Sequence, residues 1–81
     1  MELSDRPLSL VASGSYTIRA QGSLDATWSE QLGGMRITVA GTGRHTVTIL
    51  VGRVTDQAAL LGVLNTLYEL GLPLLSVEYI S

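Results

Sequence analysis

TDQAALLGVLNTLYELGLPLLSVEY, residues 55–79, decides the fold of this chain. Thr55 and Asp56 are both residue types that cap a helix N-terminus, because a short side-chain oxygen can accept a free backbone N–H of the first turn. Apolar residues then recur at helical spacing from Leu60 to Leu70. Gly71 offers the left-handed backbone position at which helices stop, and Pro73 forbids continuation. Leu74–Ile80 resumes as an apolar strand. The stretch therefore reads as a capped helix over about 56–70, a Gly-x-Pro stop and a closing strand. Apolar residues cover roughly 200° of the helix, whereas one core-facing stripe needs little more than 100°. Leu64 marks the centre of that arc.

Working back from the helix, His45–Val54 is apolar on both faces, with Val47, Ile49 and Val51 on one side and Leu50 and Val54 on the other. Such a strand belongs in the middle of a sheet. Gly41-Thr42-Gly43 is a hairpin signal, and Met35–Ala40 before it alternates Met35, Ile37 and Val39 against Arg36 and Thr38. Ser23 with Asp25 predicts the start of a short α-helix. Leu24, Trp28 and Leu32 would form its stripe, and Gly33-Gly34 would end it. Ser15–Ala20 alternates as a half-buried strand. Residues 1–13 contain Pro7 and lack a clean period, so they read as a flexible tail or an interface arm; 14–81 form the single domain.

The order strand, short helix, strand, strand, long helix, strand, joined by right-handed crossovers, predicts an α+β sandwich of the ferredoxin-like βαββαβ type. Its four-stranded antiparallel sheet has the first and third strands central and both helices on one face. The other face is open, with Val47, Ile49 and Val51 down its middle.

Composition sharpens that expectation. An 81-residue domain buries only about 60–65% of its unfolded surface, and this chain has no cysteine to supplement the core with disulfides or thiolate metal sites. Yet it is 46% hydrophobic and only 15% charged, more apolar material than a two-layer domain of this size hides. The surplus predicts a homo-oligomer, with a dimer favoured over a trimer or larger ring and Val47, Ile49, Val51, Leu61 and Tyr68 as interface residues. Five arginines spread along a chain of net charge −2 make no basic face, and three Tyr, one Trp and no Phe make no stacking platform; nucleic acid is not an expected partner. No apolar run approaches the ~20 residues of a membrane helix. The acidic start Met1-Glu2-Leu3-Ser4-Asp5 is unlike a signal peptide, so the expected location is cytoplasmic.

Two resemblances add to this reading. Trp28-Ser29-Glu30, Gly33-Gly34-Met35, Gly52-x-Val54-x-Asp56-Gln57-Ala58-Ala59-Leu60-x-Gly62-x-Leu64 and Leu70-Gly71-Leu72-x-Leu74-x-Ser76-Val77 together resemble a group of small, uncharacterised bacterial proteins. The likeness spans about residues 15–80 and implies fold and bacterial origin, with no activity attached. Val54 to Tyr79 also looks like the strand–helix–strand opening of ACT regulatory domains. Asp56 matches that pattern, while Gln57-Ala58-Ala59 stands where a Pro-Gly turn belongs, so amino acid as the specific ligand is not carried over.

Candidate chemistry is sparse. His45 is the sole histidine and has no HxH, HxxxH or acidic cluster beside it, so no metal site is expected. Gly41-Thr42-Gly43-Arg44 lacks the Lys-Ser/Thr ending of a phosphate loop and leads into a strand, so it reads as a turn. Trp28 reads as core or interface. Asp56 and Gln57, with Arg53 nearby in sequence, form the candidate ligand-binding set for a small metabolite. No nucleophile set, carboxylate pair or cofactor fingerprint is present. The reading is a non-enzymatic binding or regulatory module without cofactor; its alternative is a small oligomeric enzyme using His45 or Asp56 with an arginine.

Overall fold

A computed structural model describes residues 13–81; the expectation of a flexible tail or arm falls almost wholly outside the described residues. β1 (Gly14–Gln21) leads through a 3-10 helix (Ala26–Leu32) to β2 (Arg36–Ala40). A tight hairpin follows, then β3 (Val47–Val54), α1 (Gln57–Glu69) and β4 (Leu74–Tyr79). The strands lie in the order β2-β3-β1-β4, every neighbouring pair antiparallel. The first and third strands are central, as the βαββαβ pattern requires, and the fold is the expected α+β sandwich.

The register assigns each side chain to a face, because directly opposed residues of an antiparallel pair point the same way. Tyr16, Ile18 and Ala20 of β1 oppose Gly52, Leu50 and Thr48 of β3, and all but Gly52 are fully buried under the helix layer. Thr48 is the polar member of this core, and its hydroxyl donates to the Gly22 carbonyl at 2.6 Å. Leu32, Met35, Leu60, Val63, Leu67 and Leu72 close the core from above.

Three local readings need correction. The first crossover is a 3-10 helix capped by Asp25, not an α-helix capped by Ser23: the Asp25 carboxylate accepts the Thr27 N–H at 3.0 Å, and the Asp25 carbonyl accepts that of Trp28. Leu24 enters the core ahead of the helix. Hydroxyl-bearing Thr27 and Ser29 are modest helix formers, and the Ser29 hydroxyl donates to the Met35 carbonyl at 2.7 Å, tightening the turn into β2. Second, β3 starts at Val47; His45 sits in a three-residue 3-10 turn at the hairpin. A side chain at Gly41, whose φ is +88°, would overlap the His45 carbonyl, so the hairpin closes tightly only with glycine there. Third, the buried face of α1 is Leu60, Val63 and Leu67, with Leu64 half-buried beside it. The apolar arc is so wide that its midpoint does not mark the direction of the core.

The end of α1 follows the expected stop. Gly71 adopts φ +80°, its N–H reaching the Tyr68 carbonyl and that of Leu72 reaching Leu67, each at 3.0 Å. This paired capping satisfies the last carbonyls and tucks buried Leu72 beside buried Leu67.

Candidate functional site

Of the nine large apolar residues exposed among the described residues, seven lie between Leu61 and Ile80. Their placement follows from two crossovers of unequal bulk. The 3-10 helix joins β1 to β2 and α1 joins β3 to β4, so α1 occupies the β1–β4 side of the helix layer. At 100° per residue, Leu61, Leu64 and Tyr68 share one flank of α1 and Val63, Thr66 and Leu70 the other. Val63 neighbours Gly33 at the end of the 3-10 helix, so the Leu61–Leu64–Tyr68 flank turns toward β4.

β4 presents matching surface. Leu74, Val77 and Tyr79 oppose Ala20, Ile18 and Tyr16 of β1 and thus point to the helix side, where α1 leaves all three exposed. Leu75 lies at the irregularity in the β1–β4 register, also exposed. Ile80 continues the pairing beyond the strand, its N–H donating to the Ser15 carbonyl at 2.7 Å. The Tyr79 ring packs edge-on to Tyr16, with centroids 5.4 Å apart. Burial, then the neighbouring Tyr79 phenol, holds the Tyr16 phenol above its ordinary value. At the foot of this side, Tyr68, Gly71, Leu72 and Pro73 line an open depression of about 310 Å³. β4 is also a sheet edge, with a row of backbone groups facing outward. It carries neither Lys nor Pro; Glu78 is its one charged residue.

The other expected residues are scattered. Val47 and Ile49 are half-buried and Val51 exposed on the open sheet face. Arg53 points to that same face, opposite Ser15. Asp56 caps α1, its carboxylate accepting the Ala59 N–H at 2.8 Å, and Gln57 begins the helix. The candidate ligand set Arg53, Asp56 and Gln57 is therefore divided between two layers, and the described depression lies at the opposite end of α1. His45 is exposed at the hairpin with no hydrogen bond from its side chain among the described residues. Trp28 packs half-buried against the core. No group of three or more potential metal ligands occurs among the described residues, and no described helix is long and apolar enough to cross a membrane. Sequence reasoning named Leu61 and Tyr68 but missed Leu74, Leu75, Val77, Tyr79 and Ile80, whose apolar character pointed equally well to the core.

Among the described residues, the fold and surface define a small α+β sandwich with one apolar side, where a helix flank meets an uncovered edge strand. The chain belongs to the family described as Domain of unknown function (DUF8691), which matches residues 15–78. No curated protein and no solved structure matches it.

Proposed function

We propose that this protein is a self-associating binding module whose copies join along the β4–α1 side. One observation carries the reading: exposed apolar side chains concentrate there, on both faces of an edge strand and on the adjoining helix flank. Each half-exposed Leu, Val or Ile gains roughly 1 kcal/mol on being covered, and strand-to-strand pairing would satisfy the outward backbone groups of β4. A two-fold arrangement, β4 against β4, closes the assembly with a single self-complementary patch. It extends the sheet and brings the two Leu61–Leu64–Tyr68 flanks together.

A bacterial, cytoplasmic protein is the setting this reading assumes. The likeness of Val54–Tyr79 to ACT domains covers the same strand–helix–strand unit and favours a regulatory role with a small metabolite over catalysis. Stability shifts against a metabolite panel test that part.

The association itself is tested by native mass. The parent protein at high micromolar concentration is expected to exceed the 8.6 kDa of one chain. At high salt, Val77→Arg should return it to one chain without altering its circular dichroism. A parent that stays at one chain overturns the proposal.

A further inference from the structure

Charge is divided between the two layers of the sandwich. The register sets Arg19, Arg36 and Arg53 on the open sheet face with one carboxylate, Glu78, which pairs with Arg19 at 3.2 Å. Arg36 and Arg53 have no ion-pair partner among the described residues and both are exposed. Arg36 opposes Val51, two residues before Arg53 on the same face, so both guanidiniums flank one end of the Val47–Ile49–Val51 strip. The helix layer is the reverse. It carries Asp25, Glu30, Asp56 and Glu69 and no basic residue. All four acids are exposed, and Glu69 projects from the side of α1 opposite Leu60 and Leu67.

We propose that the open sheet face of one copy receives the outer, acidic surface of the helix layer of another, head to tail. The Val47–Ile49–Val51 strip supplies a dry centre, and Arg36 and Arg53 at its end meet Glu30 and Glu69 of the neighbour. Two sheets pairing face to face would instead oppose two surfaces of the same positive excess, which disfavours that arrangement. A nucleic-acid strand would find no aromatic platform there, because Tyr16 and Tyr79 both point to the helix side. Head-to-tail contacts do not self-close as a two-fold does, so they build rings or filaments. The contact uses neither the β4 edge nor the Leu61–Tyr68 flank, so it stands or falls separately from the β4 dimer.

Charge exchange tests the stacking. Exposed charges are screened over about 10 Å at 0.1 M salt and 3 Å at 1 M. The native mass of the parent should therefore grow at low salt, with an association constant about tenfold or more above that at high salt. The variant Arg36→Glu/Arg53→Glu sets acids against acids at the contact, and Glu30→Arg/Glu69→Arg sets arginines against arginines. Each alone should lose the salt-sensitive growth, and a mixture of the two should recover it. Sedimentation of both variants and the mixture, with circular dichroism to confirm folding, reads the result. A parent mass indifferent to salt, arginine variants that assemble as the parent does, or a mixture that fails to assemble would each overturn the stacking. Loss of the β4 dimer would show separately, as a one-chain mass at high salt.

Discussion

β1 and β4 lie side by side, paired residue for residue, yet they live in different surroundings. Tyr16, Ile18 and Ala20 of β1 are 0–2% exposed, whereas their partners Tyr79, Val77 and Leu74 on the same face of the sheet are 37–54% exposed. Adjacent strands are only about 4.8 Å apart. A single step across the sheet thus takes the chain from a sealed core to an open apolar shore. Thirteen residues of α1 and a seven-residue 3-10 helix cannot roof four strands, and among the described residues the uncovered margin falls on β4. Position under the roof, more than side-chain type, decides which apolar residues are sealed in the core and which stay at the surface.

The pair Ile18 and Val77 gives the widest contrast. Ile18→Ala should cost about 2–5 kcal/mol by opening a cavity in the sealed centre. Val77→Ala, measured on protein dilute enough to be monomeric, should change stability by about 0.5 kcal/mol or less. Equal losses in urea melts would mean that β4 is roofed after all. Within α1 the same ranking applies: Leu67→Ala should be worse than Leu64→Ala, since only Leu67 lies wholly inside.

Backbone positions come next. Gly71→Val forces a β-branched residue to φ +80° and should cost about 1–2 kcal/mol or more. Gly62→Ala meets nothing within 4 Å and should stabilise the monomer by up to ~1 kcal/mol. Thermal melts that rank these two the other way would show a backbone packed on the outer side of α1. Asp56→Ala should cost about 1 kcal/mol through loss of the Ala59 cap.

The smallest expected effect is at Tyr16. Its phenol is raised in the folded state, so the neutral form is favoured by folding. That contribution is whole below the unfolded phenol value of about 10 and is lost as pH rises through the higher folded value. Tyr16→Phe should flatten the alkaline decline in stability; an unchanged decline would place its cause elsewhere.

Much of the architecture was legible because local signals agreed. Asp56, Gly71 and Pro73 bracket α1, and the doubly apolar β3 announces a central strand, which with the crossover rule leaves one topology. The roof's width was not legible. Leu24, Trp28 and Leu32 fit an α-helical stripe as readily as the 3-10 helix that forms, and Ser23 and Asp25 are equally good caps. The apolar arc of α1 signalled a surplus without saying which flank, Val63 or Leu61, meets solvent. Leu74 joins Val77 and Tyr79 on one face only through the irregularity beside Leu75, which strict alternation does not announce, and only the packed structure tells whether that face is covered. The spacing of the candidate ligand set was hidden for a related reason: Arg53 and Asp56, three residues apart, leave β3 and enter α1 on different layers.

Amide hydrogen exchange followed against protein concentration tests the central claim most directly, since it reads the two sheet edges separately. Association through β4 should raise protection across Leu74–Ile80 by about tenfold or more between dilute and concentrated protein, as pairing converts open edge amides to ladder bonds. The β2 edge, Arg36–Ala40, should exchange at the same rate throughout. Protection that is independent of concentration along β4, or that grows instead along β2, would contradict the assignment of the uncovered margin as the surface where copies meet.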